Sequence, residues 1–249
     1  MTWKPKEGIC IDFNRSIFAP VVPKSACTTL RSGVFYFDYG RNHGKHPRGE
    51  FTPDQADLVP IDFDCLVFIR NPLDRLISGI SEVICRTLSN AGFMSLGEDG
   101  IPVGAPNYQD SKDIEEYFLD FLKYDLKGFF NLSSDHELNI HLQRQIDIID
   151  WSNLTSRFSN VTMFEVDRNL WSNVAHWLNE RNTPSKSKSG EKHGNPGFRD
   201  PYKSYVKGMY SLAFRDNKNN LLDDYNDYFK ADIDFYNSLK AKFYRGAEQ

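Results

Sequence analysis

The chain has 249 residues, of which 40% are hydrophobic and 14% aromatic, so it is long enough to bury one large core. Its formal net charge of −4 disfavours a protein that binds nucleic acid or an anionic membrane through an extended basic face. No apolar run approaches the ~20 residues of a membrane-spanning helix, and the first residues lack the apolar stretch of a secretory signal. We therefore expect one cytoplasmic domain over residues 1–249, without a membrane span.

The cysteines are too scattered for a CxxC metal or redox motif. We expect reduced thiols, no structural disulfide and no metal, and we interpret Cys65, which lies in an apolar run, as a buried small hydrophobic residue. The four cysteines are Cys10, Cys27, Cys65 and Cys85.

The first predicted elements are a buried strand and a short helix. Residues 17–22 read IFAPVV, an apolar run that is followed by a proline. Thr28 or Thr29 can then cap a helix that runs towards Phe35.

A second strand and helix follow at residues 64–69, DCLVFI, a near-continuous apolar run typical of a strand that is covered on both faces. Pro72 suits the first turn of the next helix. Residues 161–166, VTMFEV, predict another strand, and two helical stripes follow it. The first stripe is Leu170, Val174, Trp177 and Leu178, and the second is Phe229, Ile233, Tyr236, Leu239 and Phe243.

Alternating strands and helices favour an α/β fold of three layers, with a central parallel sheet flanked by helices. Three segments rich in glycine, proline or polar residues are predicted surface loops, at residues 40–56, 90–110 and 181–200.

The first candidate site is the segment PKSACTTL, residues 23–30, between a strand and a helix. A tight turn of this kind directs backbone N–H groups and the positive end of the helix at one place, which suits an anion. The small residues let the backbone approach that anion, and the threonines add hydroxyl donors. The predicted anion-binding residues are Ser25, Ala26, Cys27, Thr28 and Thr29.

Lys24 precedes these small residues and could follow negative charge as it develops on a reacting group. In the triphosphate-binding pattern GxxxxGK[ST] the lysine follows the glycines, so the order here disfavours that type of loop. Taken alone, the segment is equally compatible with a structural junction whose lysine is solvated.

The second candidate site begins where the strand DCLVFI ends. Arg70 lies at the edge where open α/β sheets bind ligands, and its guanidinium can bind a phosphate with two hydrogen bonds. A charged side chain directly after a buried strand costs free energy unless it makes a functional interaction. We therefore predict a functional role for Arg70. Ser78 lies two helical turns farther and could present its hydroxyl to the same group. The alternative to a functional site is a surface pair between Asp74 and Arg75, with Arg70 capping a carbonyl. We interpret Asp74 and Arg75 as structural.

Together the two segments resemble the PAPS-dependent sulfotransferases, whose donor is 3′-phosphoadenosine-5′-phosphosulfate (PAPS), and the carbohydrate type most closely. PKSACTTL is similar to the family's 5′-phosphosulfate loop, and FIRNPLDRLISG to its 3′-phosphate motif of strand-Arg-x-Pro-x-x-Arg-x-x-Ser. NIHLQRQ resembles the family's His-x-x-x-Gln segment, and YFKADIDFY its closing Tyr-x-x-Asp-x-x-x-Phe pattern. The resemblance runs from about Ile17 to the C-terminus and implies the family's three-layer, P-loop-like fold.

The resemblance also implies roles for individual residues. Lys24 would contact the 5′-phosphosulfate and stabilise the bridging oxygen as it leaves. Ser25 to Thr29 would hold the 5′-phosphate, and Arg70 and Ser78 the 3′-phosphate. The family's basic loop over the nucleotide has no clear counterpart in this chain. The candidates for its basic residue are Lys186, Lys188 and Lys192. The alternative is that these lysines belong to a solvated loop.

Transfer to a hydroxyl also needs a base, and histidine suits this at neutral pH. In the resembled family the base follows the first helix, where this chain has His43 and His46. His141, in the His-x-x-x-Gln segment, is the rival, and Glu50 is a carboxylate alternative because some family members use one. We predict that one of the three histidines is the base and leave open which.

Two other functions are compatible with these residues. One is a P-loop-like kinase, which would require Mg²⁺ and ATP and is disfavoured by the position of the lysine. The other is a relative that binds the nucleotide without turnover. The acceptor is a carbohydrate or a small metabolite with a hydroxyl or an amine, selected by the predicted loops. The sequence leaves the oligomeric state open.

Overall fold

The computed structural model describes residues 3–26, 30, 34–35, 48–90, 95–96, 102–103, 142–181 and 201–246. Its strands are β1 (Ile9–Asp12), β2 (Ile17–Pro20), β3 (Arg48–Phe51), β4 (Asp64–Ile69), β5 (Ser95–Leu96), β6 (Pro102–Val103) and β7 (Val161–Glu165). Its helices are α1 (Pro72–Asn90), α2 (Gln145–Ile149), α3 (Trp151–Arg157), α4 (Leu170–Glu180), α5 (Pro201–Arg215) and α6 (Leu221–Gly246), with 3-10 helices at Pro53–Leu58 and Lys218–Asn220.

The central sheet has the strand order β3-β1-β2-β4-β7. Strands β2, β4 and β7 are parallel, as predicted, whereas β1 is antiparallel to both β2 and β3. The prediction of a parallel sheet is therefore wrong for β1, which makes both antiparallel pairings among the four pairings of this sheet. The reason is the short connection from β1 to β2, which allows a hairpin but leaves no room for the crossover that a parallel pair needs.

The β1–β2 hairpin is closed by Asp12, which is fully buried. Its carboxylate accepts hydrogen bonds from the backbone N–H groups of Asn14 and Arg15, at 3.0 and 3.2 Å. It also forms an ion pair with the Arg15 guanidinium at 2.6 Å. An aspartate that binds the backbone two and three residues ahead favours such a reversal.

The sheet is covered on both faces, which confirms the predicted three layers. Alternate residues of β4 point to opposite sides: Cys65 and Val67 belong to one apolar cluster, and Leu66 and Phe68 to the other. The first cluster includes residues of α2, α3 and α6. The second includes residues of α4 together with Leu30, Val34 and Phe35.

Helix α4 buries the four residues of its predicted stripe, Leu170, Val174, Trp177 and Leu178. Helix α6 follows its predicted stripe less closely. Phe229, Tyr236 and Leu239 are buried, but the turn between them buries Asp232 and leaves Ile233 partly exposed. A carboxylate in an apolar interface needs polar partners, and these lie at the candidate site.

Two predicted loops contain regular structure. Strand β3 lies within residues 40–56, the 3-10 helix Pro53–Leu58 begins there, and β5 pairs with β6 within residues 90–110. Residues 182–200 of the third loop lie outside the described residues.

Cys65 is buried as predicted, and its burial raises the pKa of the thiol. None of the described helices has the length and apolar character to cross a bilayer. The single domain and the cytoplasmic location stay predictions.

Candidate functional site

The chain makes a tight turn after β2, between Val22 and Ala26, which we call the 22–26 turn. Lys24 and Ala26 have φ values of 65° and 56°, in the left-handed region that non-glycine residues rarely adopt. The Ser25 N–H donates to the Val22 carbonyl at 3.1 Å. Each left-handed residue costs about 1–2 kcal/mol, and strain of this kind concentrates at functional sites.

Arg70 lies beside this turn because β2 and β4 are parallel neighbours whose carboxyl ends meet at one edge of the sheet. One nitrogen of its guanidinium is 3.3 Å from the Lys24 carbonyl oxygen. Arg70 is partly exposed at the end of a buried strand. The structure thus brings together the two segments that the sequence singled out, although they are 46 positions apart.

Helix α1 begins at Pro72, as predicted, and Asn71 caps it. The Asn71 side-chain oxygen accepts hydrogen bonds from the N–H groups of Leu73 and Asp74, at 3.0 and 3.2 Å. Ser78 lies two turns farther along and is only 5% exposed.

Lys24 reaches α1 through an ion pair with Glu82, whose carboxylate is 2.6 Å from the Lys24 ammonium. Both side chains are mostly buried, with 18% and 16% of their surface exposed. Glu82 lies one helical turn beyond Ser78 on the same face of α1. The ion pair of Glu82 could not be predicted from the sequence, since a charged residue on an amphipathic helix is usually solvated.

Gln145, at the start of α2, is fully buried between the two segments. Its amide oxygen accepts hydrogen bonds from the Ser25 hydroxyl and from the Arg70 N–H, both at 2.9 Å. Its amide nitrogen donates to the Arg70 carbonyl at 2.7 Å and to Asp232 at 3.4 Å. One side chain therefore binds both sequence-predicted segments.

Asp232 of α6 completes this contact from the other end of the chain. It is fully buried, and its second oxygen accepts the Ile146 N–H at 3.1 Å. Burial raises the pKa of Asp232 above its ordinary value, against the opposing effects of the Arg75 charge and of the donors at the start of α2. The carboxylate is thus stabilised by one nearby cation and by hydrogen-bond donors of Gln145 and Ile146.

Arg75 is the cation of this cluster and is fully buried. Its guanidinium donates to the Pro23 carbonyl at 3.0 Å and to the Gln143 carbonyl. The structural role predicted for Arg75 is confirmed, but the alternative of a surface pair with Asp74 is wrong. A helix that begins at Pro72 places Arg75 on the face that packs inward.

Tyr236 forms a separate contact with the same edge of the sheet. Its hydroxyl donates to the carboxylate of Glu165, the last residue of β7, and Lys240 is 3.2 Å from that carboxylate. The Tyr236 side chain is buried, whereas Glu165 and Lys240 remain partly exposed. Burial and the contact with Glu165 raise the pKa of Tyr236 to about 12.

The other residues predicted for the site lie outside the described residues, so their roles stay predictions. Within the described part of the chain, no three His, Cys, Asp or Glu side chains come together as a metal site would require. The side chain of Glu50, the carboxylate alternative for the base, is likewise not described. The residues concerned are Cys27, Thr28, Thr29, His43, His46, His141 and Lys188, with Lys186 and Lys192.

Gln145 and Asp232 are the main residues whose roles sequence reasoning missed. A signal for both was present, because Gln145 ends the His-x-x-x-Gln segment and Asp232 is part of the closing YFKADIDFY pattern. The sequence did not indicate that the two patterns meet. The structure joins them to each other and to the 22–26 turn.

A family model described as the sulfotransferase family matches residues 8–237, which is most of the chain. Comparison with curated proteins and with solved structures found no match. The matched range contains the 22–26 turn, Arg70, Gln145 and Asp232. The chain therefore belongs to the sulfotransferase family, whose members are transferases that move a sulfuryl group.

Proposed function

We propose that the protein is a PAPS-dependent sulfotransferase that acts on a hydroxyl or an amine of a carbohydrate or a small metabolite. The observation that carries this proposal is the strained 22–26 turn beside Arg70, at the carboxyl edge of parallel strands. Ligands of open α/β sheets bind at this edge. Two cationic side chains and a strained backbone there suit a donor with two separate anionic groups.

The 22–26 turn fits the 5′-phosphosulfate end of the donor. Its left-handed residues, Lys24 and Ala26, flank Ser25, which keeps a negative φ. Alternation of this kind is typical of the concave turns that bind anions through backbone N–H groups. The Lys24 side chain adds a positive charge whose direction is set by the ion pair with Glu82.

Arg70 and Ser78 fit the 3′-phosphate. An arginine can bind a phosphate with two parallel hydrogen bonds, which gives geometric specificity as well as affinity. Ser78 lies on α1, which starts directly after Arg70 and is anchored by the Asn71 cap. Lys188, from the segment outside the described residues, is our candidate for the basic residue that covers the nucleotide.

When bound, PAPS supplies the sulfuryl group on a 5′-phosphate that can leave. The protein's task is then positioning and electrostatic stabilisation, as in phosphoryl transfer. The Lys24 ammonium offsets negative charge on the bridging oxygen. One of His43, His46 and His141 takes the acceptor's proton, with Glu50 as the carboxylate alternative.

The first experiment measures thermal unfolding with 3′-phosphoadenosine-5′-phosphate (PAP), the product nucleotide. At about 100 times its dissociation constant, PAP should add ~2.7 kcal/mol to the free energy of unfolding. The controls are 5′-AMP, which lacks the 3′-phosphate, and ATP with Mg²⁺. Stabilisation by 5′-AMP equal to that by PAP would contradict the 3′-phosphate site, and a larger effect of ATP with Mg²⁺ would favour the kinase.

Turnover is tested with radiolabelled PAPS and a panel of sugars, alcohols and amines. Lys24→Met should lower turnover about 100-fold or more, because a group that stabilises the leaving oxygen acts mainly in the transition state. PAP binding should fall much less. Lys218→Met, at an exposed lysine outside the site, is the matched control and should keep full activity. Turnover by Lys24→Met equal to that of the control would refute the role of Lys24.

A further inference from the structure

The buried amide of Gln145 joins the two proposed donor-binding segments through one side chain that belongs to neither of them. Its oxygen accepts from Ser25 of the 22–26 turn and from Arg70 at the end of β4, both at 2.9 Å. Its nitrogen donates back to the Arg70 carbonyl at 2.7 Å. An amide that is bonded on both sides in this way fixes the separation between the segments.

The orientation of that amide is set by the Arg70 backbone and supported by Asp232. A carboxylate and a carbonyl can only accept, so the nitrogen of Gln145 has to face Asp232 and the Arg70 carbonyl. Its oxygen then faces the two donors. Asp232 is itself held by the Ile146 N–H at 3.1 Å, so helix α6 supports this orientation of the amide.

Ser25 has both of its donors committed inside the protein. Its hydroxyl donates to Gln145, and its N–H donates to the Val22 carbonyl. With 1% of its surface exposed, Ser25 offers a ligand almost no accessible surface. In this arrangement Ser25 supports the turn, whereas the resemblance to the family implies a contact with the 5′-phosphate.

We propose that Gln145 is a positioning residue of the donor site, supported by Asp232, and that Ser25 acts on the donor only through Gln145. This inference rests on the proposed function, since it concerns the same PAPS site. The physical reason is that the 22–26 turn and Arg70 bind opposite ends of one nucleotide. A change of about 1 Å in their separation therefore weakens both contacts together.

The test is a double-mutant cycle of Gln145→Met and Ser25→Ala on PAP affinity. Calorimetric titration is made at a temperature at which every variant is folded by circular dichroism. Gln145→Met should weaken PAP binding about tenfold or more, and Ser25→Ala about three- to fivefold. The double variant should bind PAP as Gln145→Met does, because Ser25 has no effect once its partner is missing.

Two further variants make the outcome decisive. Leu239→Ala removes a buried side chain of α6 and lowers stability, but it should leave PAP affinity unchanged. A purely structural role of Gln145 would likewise lower the melting temperature and leave the affinity unchanged. If Gln145→Met does not fold, Gln145→Asn keeps the amide but withdraws it by one methylene, and the same loss of affinity is expected.

The inference is refuted if Gln145→Met binds PAP as the wild type does. It is also refuted if Ser25→Ala weakens binding by the same factor with and without Gln145, since Ser25 would then contact the nucleotide itself. Failure of the wild-type protein to bind PAP is a different result and refutes the proposed function.

Discussion

Helix α6 meets the carboxyl edge of the sheet at two places one helical turn apart, through Asp232 and through Tyr236. The inner contact joins Asp232 to Gln145 and lies next to Arg75, all three fully buried. The outer contact joins Tyr236 to Glu165 and Lys240, which remain partly exposed. Both contacts attach the same helix to the same sheet edge.

The two contacts differ in what they are connected to. The inner contact continues through Gln145 and Arg75 to the 22–26 turn and the end of β4, so it supports the donor site as well as the helix. The outer contact ends at the last residue of β7. We therefore expect substitutions in the inner contact to alter both stability and nucleotide affinity. Substitutions in the outer contact should alter stability alone.

The largest effect is expected from Arg75→Ala, in the inner contact. It leaves the Pro23 and Gln143 carbonyls without this donor and removes the positive charge beside Asp232. Breaking a buried charge cluster by removing one member costs about 3–5 kcal/mol. Thermal unfolding should show a melting temperature lower by roughly 10 °C or more, and calorimetry a weaker affinity for PAP.

Arg144→Ala is the matched control for Arg75→Ala. Arg144 pairs with Asp147 at 2.6 Å, but 30% of its side chain is exposed. An ion pair of this kind contributes about 0–1 kcal/mol. If Arg75→Ala proved no less stable than Arg144→Ala, the inner contact would not stabilise the fold and the distinction between the two contacts would be lost.

Tyr236→Phe tests the outer contact and should have an intermediate effect. It removes one hydrogen bond to a carboxylate, which contributes about 1.5–3 kcal/mol. The melting temperature should fall by roughly 3–10 °C at neutral pH, without a change in PAP affinity. A loss of PAP affinity would show that the end of β7 also supports the donor site.

The same variant should change the pH dependence of stability. The pKa of Tyr236 is raised to about 12 in the folded protein, so the unfolded chain loses this proton first. The stabilisation is complete below about pH 10, the ordinary tyrosine pKa, and is lost as the pH rises towards 12. Tyr236→Phe should lose less stability over this interval. Some loss should remain, because burial also raises the pKa of Tyr225.

Much of the fold follows from local rules and could be predicted. The strand β4 is an apolar run, α1 begins at the Asn-Pro pair, and α4 shows an uninterrupted helical stripe. In each case the residues that determine the element are neighbours in sequence. The antiparallel pairing of β1 with β3 was missed because the segment that forms β3 has no strand pattern of its own. That segment is RGEF, residues 48–51.

The candidate site was predictable in part for the same reason. Lys24 and Arg70 stand at strand ends, and strand ends can be located in a sequence. The contacts between distant segments could not be predicted, since Ser25 and Gln145 are 120 positions apart. Asp232 was hidden for a further reason: a buried carboxylate interrupts the apolar stripe of α6, and the stripe alone would place Ile233 inward.

Lys240→Met should have the smallest effect and tests where the outer contact ends. The Tyr236 hydroxyl and Glu165 raise the pKa of Lys240, but 38% of its side chain is exposed and the ion pair is screened by solvent. We expect a change in the free energy of unfolding below about 1 kcal/mol, decreasing further in high salt, and no change in PAP affinity. Urea unfolding at low and at high salt measures both. A loss as large as that of Tyr236→Phe would mean that Tyr236, Glu165 and Lys240 form one cooperative cluster, and the outer contact would then resemble the inner one.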